Sequence, residues 1–247
     1  MIANIIGNGP SRTQFDLSKL ENTYGCNALY RDFSPNTLVA VDIPMQIEIV
    51  NSGYYKEHRV AFADWDATPI DMLEQFKMML TFDTRNNEIT THNLTDASTH
   101  FFSQGSSLQG TTDILCFEEP NQITPFTDPL LRDLVCGSTA VGLACLEGAT
   151  EVNLIGFDSL WSESYDNIYK GTNNYDWEEE DTFRVLTAQK DQLMAIVKHF
   201  ENVSFNFQKS LTDTHEIEYN ILNNQEEWVL GSGYVDRIPM FPDYEVE

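Results

Sequence analysis

Positively charged side chains are scarce in this chain. Its 247 residues include 14 Lys and Arg against 39 Asp and Glu, which gives a formal net charge of −25. Affinity for DNA and RNA depends largely on cations that neutralise phosphates, so this balance argues against a nucleic-acid ligand. It also argues against an anionic membrane surface. A small anionic ligand stays compatible with the sequence, because backbone N–H groups at a helix N-terminus supply a positive field without lysine.

Paired cysteines, metal-binding histidine motifs and long apolar runs are missing as well. The four cysteines have no CxxC spacing, which predicts reduced, buried thiols and no zinc site: Cys26, Cys116, Cys136 and Cys145. None of the five histidines forms an HxH or HExxH pattern, so we expect no metal. No stretch approaches the roughly 20 apolar residues of a membrane span, and the start lacks the basic flank of a signal peptide. We therefore expect a cytoplasmic protein, and its acidity is compatible with a marine, halophilic or viral source.

Apolar runs alternate with helix-like stretches along most of the chain. The predicted strands are 2–6, 26–30, 37–42, 60–63, 151–156 and, as the last one, 203–207, and the predicted helices are 44–52, 70–80, 137–148 and 182–200. Several strands are apolar on both faces, as in parallel sheets that helices cover. We predict a single doubly wound, mostly parallel, Rossmann-like α/β domain over residues 1–247. Residues 81–129 show no sustained period, and we expect an inserted, loosely structured lid or acceptor-site region there, with short strands such as Ile114–Phe117.

The first candidate site is the turn Gly7-Asn8-Gly9-Pro10-Ser11, directly after the first predicted strand. Ligands of doubly wound sheets bind at the carboxyl ends of the strands. Glycines there let a ligand approach the backbone, and a following helix offers free N–H groups. The turn is neither GxGxxG nor a P-loop. On its own it fits a nucleotide pocket and a structural turn about equally well.

Other polar or small residues follow predicted strands or open a helix. Asn8 and Asn27 carry amides that suit a base edge or a sugar hydroxyl, although Asn is also common in turns. Asp42 could bind a ribose hydroxyl or a metal, or cap the helix that follows it. Gly137 and Ser138 open a helix of small residues, which fits an anion cradle and close packing on a sheet equally well.

Two segments together resemble a known family. The segment IIGNGPSRTQFDLSKL…YGCNALY is similar to the start of the small bacterial sialyltransferases that use CMP-sialic acid. The segment CGSTAVGLACLEGATEVNLIGFD is similar to that family's Ser-Gly helix and the strand after it. The same opening also occurs in the MptE-like pterin diphosphokinase group. The resemblance covers about a quarter of the chain and implies a Rossmann-like, nucleotide-binding fold.

The resemblance also implies a ligand and the residues that hold it. It implies a nucleotide-sugar donor, with a CMP-linked donor favoured, and a glycan or small-molecule acceptor; a homo-oligomer is compatible with it. The sialyltransferases need no metal, and Mg²⁺ is implied only under the diphosphokinase alternative, with Asp42 and Asp158 as its ligands. The implied nucleotide-binding residues are Asn8, Gly9, Pro10, Ser11, Asn27, Asp42, Gly137 and Ser138.

The expected catalytic loop departs from the family. The sialyltransferases are expected to use a histidine base and two tyrosines that hold the leaving phosphate, but residues 158–198 contain no histidine. A carboxylate can take its place, because removing a proton from a hydroxyl needs only a positioned group of suitable pKa. We assign Asp158 as the base, and the other candidates are Asp166, Asp176 and Glu178–Glu180. The phosphate-holding hydroxyls would come from Tyr165, Tyr169 and Tyr175.

The sequence therefore predicts a nucleotide-sugar-dependent glycosyltransferase that binds its nucleotide at the GNGPS turn. Two alternatives stay open. One is a Mg²⁺-dependent diphosphokinase, and the other is a nucleotide-binding protein without catalytic activity.

Overall fold

A computed structural model describes most of the chain, part of it by backbone alone. Side chains are described for residues 1–63, 122–126, 128–132, 134–160, 166–175, 189–208, 210, 212 and 214. The backbone alone is described for residues 66–67, 78–83, 88–93, 99–106, 111–118, 179–188, 209, 213, 215–222, 225–230 and 233–234.

Strands dominate the described residues. In chain order they are β1 (Ile2–Ile6), β2 (Thr23–Cys26), β3 (Thr37–Ala40), β4 (Val60–Ala63), β5 (Asp66–Ala67), β6 (Met78–Asp83), β7 (Glu88–Asn93), β8 (Thr99–Ser106), β9 (Thr111–Glu118), β10 (Ile123–Phe126), β11 (Glu151–Ile155), β12 (Ser204–Ser210), β13 (Asp213–Leu222), β14 (Gln225–Leu230) and β15 (Gly233–Tyr234). The main sheet has ten strands in the order β10-β4-β3-β2-β1-β11-β12-β13-β14-β15. Neighbours from β10 to β12 are parallel, and those from β12 to β15 are antiparallel. Strands β5, β8 and β9 form a second sheet, and β6 pairs with β7.

Helices cover both faces of the parallel part of the sheet. They are α1 (Ile43–Ser52), α2 (Cys136–Leu146) and α3 (Glu179–His199). Successive residues of β3 point to opposite faces. Val39 packs in the buried cluster that contains α2 and α3, whereas Leu38 and Ala40 pack in the cluster that contains α1. The predicted fold class, a doubly wound α/β sheet, is therefore confirmed. None of the helices in the described part of the chain is long and apolar enough to cross a membrane.

The second strand ends earlier than predicted. It covers Thr23–Cys26, and Asn27–Arg31 forms a 3₁₀ helix instead of continuing it. The reason is the backbone of Asn27, whose φ of 47° is left-handed; a strand cannot continue through that conformation, and Asn is one of the few residues that tolerates it. This early ending turns the Asn27 side chain toward the carboxyl end of the sheet.

Three predictions on the middle and the end of the chain differ from the structure. Residues 78–80, predicted as the end of a helix, belong to β6, and residues 70–77 lie outside the described residues. A short apolar run is compatible with the period of a helix and with that of a strand, which explains why residues 78–80 were assigned to a helix. Most of the described residues of the stretch 81–129 belong to strands, where we expected loose structure. The predicted strand Ile114–Phe117 lies within β9. Strand 203–207 is not the last, because β13, β14 and β15 follow it.

A ladder of three amides, two of them buried, fixes the register of the central strands. Asn4 of β1, Asn153 of β11 and Asn206 of β12 are direct neighbours across the sheet. Asn153 Nδ2 donates to Asn4 Oδ1 at 3.3 Å, and Asn206 Nδ2 donates to Asn153 Oδ1 at 3.2 Å. A slip of one residue would turn these amides to the other face and leave them unpaired. The ladder therefore holds the loops that follow β1 and β11 opposite each other.

We expect Asn153→Ala to lower the free energy of unfolding by about 1–3 kcal/mol, because it leaves the buried Asn4 Oδ1 without a donor. Urea unfolding of the intact protein measures this loss. The control is Asn51→Ala on the exposed side of α1, which should change the free energy by less than about 0.5 kcal/mol. Equal losses in both variants would contradict a specific role of the ladder.

Candidate functional site

A cavity of about 710 Å³ opens at the carboxyl ends of the central strands. Gly7–Gly9 follow β1, Asn27 follows β2, Asp42 follows β3, and Gly156–Asp158 follow β11; all of them line the cavity. The order of the strands reverses its direction between β1 and β11. In doubly wound sheets this switch point is where ligands bind. The cavity is therefore the strongest candidate for a functional site among the described residues.

The walls of the cavity come from helices and from one loop segment. Residues Leu134–Gly137, at the start of α2, form one wall. The others come from α1, α3 and the segment 166–175: Pro44, Met45, Asp166, Asn167, Asn174, Tyr175 and Gln189. The site thus combines strand ends with a helix N-terminus.

The loops after β1 and β11 are joined by close backbone contacts and one carboxylate. Gly9 N donates to Gly156 O at 2.9 Å. The Asp158 carboxylate accepts hydrogen bonds from Ser11 N at 3.1 Å and from Ser11 Oγ at 2.8 Å. A Cβ atom on Gly9 would overlap Asp158 Oδ2 and would lie 2.7 Å from Gly156 O. Glycine is therefore needed here for close packing, and the first role of Asp158 in the fold is to hold the GNGPS turn.

Arg12 is a buried arginine that ties the GNGPS turn to its surroundings. Its side chain is 3% exposed and donates to Asn8 Oδ1 at 3.1 Å, to Asp32 Oδ2 at 2.6 Å and to Tyr169 Oη at 2.8 Å. The Asn8 amide in turn donates to Cys26 O at 3.1 Å. A buried cation without these acceptors would be strongly destabilising. The network therefore fixes the orientation of the Asn8 side chain in the cavity wall.

The segment 166–175 is pinned against the same network. Ile168 N donates to Asn8 O at 2.9 Å, and the Tyr169 hydroxyl donates to Asp32 Oδ1 at 2.5 Å. Arg31 pairs with Glu48 at 2.7 Å and donates to Asn173 O. These bonds hold the part of the segment that reaches the cavity. Burial and the hydrogen bond to Asp32 raise the pKa of Tyr169 well above its ordinary value, so its hydroxyl stays protonated.

Asn27 and Asp42 form a linked pair in the cavity. Asn27 Nδ2 donates to Asp42 Oδ2 at 2.7 Å. Asn27 is 9% exposed, and its Oδ1 has no hydrogen-bond partner. Solvent in the cavity reaches Asp42, but the surrounding protein displaces enough water to raise its pKa, an effect that the bond from Asn27 only partly offsets. The pair therefore offers acceptor oxygens to the cavity.

The electrostatic character of the wall is acidic. Its described residues include the carboxylates Asp42, Asp158 and Asp166 but no Lys, Arg or His. The positive partial charge comes from the N-terminus of α2, where Cys136 and Gly137 line the cavity and no side chain caps the first turn. Any negative group of a ligand would accordingly be held by backbone N–H groups at this helix.

Two thiols also line the cavity. Cys26, Cys136 and Cys145 are free and buried, as predicted, and the Cys116 side chain lies outside the described residues. Cys136 Sγ donates to Val39 O at 3.0 Å. Burial, together with the neighbouring Cys26, raises the pKa of Cys136 well above its ordinary value. A buried thiol with a raised pKa is unreactive, so Cys136 contributes shape and not chemistry.

The structure brings many of the sequence-predicted residues to this cavity and leaves others away from it. Those that line it are Asn8, Gly9, Asn27, Asp42, Gly137, Asp158, Asp166 and Tyr175. Pro10, Ser11, Ser138 and Tyr169 are described but are not among the lining residues. Tyr165, Asp176 and Glu178 lie outside the described residues, as do the side chains of Glu179 and Glu180. Within the described part of the chain, no group of three or more His, Cys, Asp or Glu side chains could hold a metal ion.

Sequence reasoning missed Arg12 and the two cavity thiols. The signal for Arg12 was present, because it is a lone arginine directly after the GNGPS turn of a very acidic chain. The sequence alone could not predict that Arg12 is buried, because its acceptors Asp32 and Tyr169 lie 20 and 157 residues away along the chain.

We expect Gly9→Ala to destabilise the protein by about 1–3 kcal/mol, because the new methyl group must displace Asp158 or the backbone of Gly156. Gly137→Ala is the matched control. Its Cβ would lie 3.1 Å from the Phe157 ring, a side chain that can shift, and alanine favours the helix. Urea unfolding compares the two, and a larger loss for Gly137→Ala would contradict the assigned contact.

The raised pKa of Asp42 predicts a sign for the pH dependence of stability. Its folded pKa lies above the ordinary value of 3.8, so the wild type loses stability as the pH rises from 3.8 through the folded pKa. Asp42→Asn should therefore be more stable than the wild type at pH 7, and the difference should narrow as the pH falls toward 3.8. Urea unfolding across this range measures it.

Asp16→Asn provides the control of opposite sign. Hydrogen bonds from Ser18 and Lys19 lower the pKa of Asp16, so this variant should gain no stability at pH 7. A wild type more stable than Asp42→Asn at pH 7 would refute the desolvated state of Asp42.

No family model, curated protein sequence or solved structure matches the chain. The function is accordingly inferred from the geometry of the cavity and from the two sequence segments that meet in it.

Proposed function

We propose that the cavity binds a sugar nucleotide and that the protein is a glycosyltransferase of the sialyltransferase-like type, with a CMP-linked donor. One observation supports this most strongly. The two segments that resemble the family meet at the cavity, where Ser11 of the first donates to Asp158 of the second across 147 residues of sequence. Asn8, Gly9 and Gly137 from these segments line the same cavity.

The phosphate of the donor would lie at the N-terminus of α2. The first N–H groups of a helix have no partner within the helix and carry the positive end of its dipole. Gly137 has no side chain to block an approach from the cavity. Tyr175 lines the same cavity. Donors fixed in this way stabilise the negative charge that develops on the leaving nucleotide, which is the main contribution expected of this site.

The base that activates the acceptor is better assigned to Asp166 than to Asp158. Both carboxylates line the cavity. Both oxygens of Asp158 accept hydrogen bonds from Ser11, so this carboxylate already has a structural role in holding the GNGPS turn. Asp166 is exposed at the mouth of the cavity, where an acceptor hydroxyl could reach it.

The diphosphokinase alternative has one observation in its favour, the acidic wall. A diphosphate would repel Asp42, Asp158 and Asp166 unless a divalent cation lay between them. Asp42 and Asp158 would be the ligands of that cation, although Ser11 already occupies the Asp158 carboxylate. The two functions differ in whether nucleotide binding depends on a metal.

A thermal-shift panel of CMP, CDP, UDP, GDP and ATP, each with and without EDTA, tests the proposal. CMP at about 100 times its dissociation constant should stabilise the fold by about 2.7 kcal/mol, roughly 5–10 °C in melting temperature. EDTA should leave the shift unchanged.

The other outcomes separate the alternatives. A shift with CDP or ATP that EDTA abolishes would favour the diphosphokinase. A shift with CMP but no turnover of a CMP-linked sugar with any acceptor would favour a binding protein without catalytic activity. The absence of a shift with all five nucleotides would overturn all three functions.

A further inference from the structure

The oxygen of the Asn27 amide is the least satisfied polar atom in the cavity wall. Asn27 is 9% exposed, and its Oδ1 has no hydrogen-bond partner. A buried acceptor without a donor costs roughly 1–3 kcal/mol. The conformation of Asn27 adds to this cost, since its φ of 47° is left-handed. An unpaired polar atom on a strained residue that lines a cavity points to a ligand group that completes it.

Asp42 supplies a second acceptor beside the first. Its Oδ2 accepts the Asn27 amide at 2.7 Å, which brings the two side chains together and leaves Oδ1 of Asp42 for a ligand. Asn27 follows β2 and Asp42 follows β3, and neighbouring strands lie about 4.8 Å apart. The two unused oxygens therefore form a pair that accepts hydrogen bonds and donates none.

We infer that Asn27 and Asp42 bind the two adjacent hydroxyls of the ligand's ribose and make the cavity selective for ribonucleotides over deoxyribonucleotides. This inference rests on the proposed nucleotide-binding function and names the part of the nucleotide that the pair recognises.

The chemistry of the pair distinguishes the ribose from the other parts of a nucleotide. A phosphate carries only acceptors at neutral pH, and Asp42 would repel it. A base can offer an amino group, but the amino group of cytosine is replaced by an oxygen in uracil. A ribose offers two neighbouring O–H donors whichever base it carries. Each donor would satisfy one oxygen of the pair.

The distance to the helix N-terminus agrees with this placement. Cys136, the first residue of α2, donates to Val39 O in β3 at 3.0 Å, so the helix N-terminus lies beside the strand that Asp42 follows. In a nucleoside 5′-monophosphate the ribose is the group next to the phosphate. A phosphate at Gly137 would accordingly bring the ribose close to Asn27 and Asp42.

The test is isothermal titration of the full chain with CMP, 2′-deoxy-CMP, 3′-deoxy-CMP and UMP. Removing one hydroxyl leaves one acceptor unpaired, so at least one deoxy analogue should bind roughly tenfold or more weakly than CMP. UMP carries the same ribose, so a difference between UMP and CMP reports on the base and not on the ribose.

Two matched variants test whether Asn27 is responsible for the preference for CMP over its deoxy analogues. Asn27→Gly removes the amide and keeps the left-handed backbone, which glycine adopts readily. It should bind CMP more weakly and lose most of the preference for CMP over the deoxy analogue. Asn22→Gly is the control, because Asn22 stands at the other end of β2, is exposed, and has a φ of 48°. It should keep the wild-type preference.

The results separate this inference from the proposed function. If CMP and both deoxy analogues bind equally, the ribose assignment is wrong while nucleotide binding stands. If UMP binds far more weakly than CMP and the deoxy analogues do not, the pair recognises the base and the inference fails. If CMP does not bind at all, both the ribose inference and the proposed function are wrong.

Discussion

The hydrogen bonds between Ser11 and Asp158 are the interaction on which the candidate site depends. They join the loop after β1 to the loop after β11 at the point where the order of the strands reverses. The close packing of Gly9 against Gly156 requires a residue without a side chain, and the amide ladder below it keeps the two strands in register. Arg12 and the segment 166–175 are then held in place through Asn8. The cavity is thus bounded by elements that fix one another.

The cavity also carries features that cost stability. Asn27 has a left-handed backbone and an unpaired amide oxygen, and partial desolvation raises the pKa of Asp42. Neither feature contributes to the packing of the sheet, and both residues face the same cavity. Strain and unsatisfied polar groups of this kind cluster at functional sites, where a ligand compensates them. The strain and the unpaired oxygen of Asn27, together with the raised pKa of Asp42, therefore argue for ligand binding independently of the sequence resemblance.

Local patterns predicted the parallel sheet and the placement of the polar residues after strands, because both depend on short apolar runs and turn-forming residues. They predicted Asn27 as a site residue but placed the end of β2 too late, since the left-handed turn depends on one backbone angle. The base assignment to Asp158 could not foresee that Ser11, 147 residues away, occupies its carboxylate. Strands β6, β7, β8 and β10 were not predicted, because polar, weakly periodic segments depend on long-range pairing for their structure.

The central claim is that the strand ends Gly7–Gly9, Asn27 and Asp42 and the N-terminus of α2 form one nucleotide site. A crystal structure of the protein grown with CMP tests it most directly. The account predicts the phosphate at hydrogen-bond distance, about 2.7–3.2 Å, from backbone N–H groups near Gly137, with ribose hydroxyls against Asn27 Oδ1 and Asp42. CMP bound elsewhere on the protein, or bound in the cavity with its ribose turned away from Asn27, would contradict it.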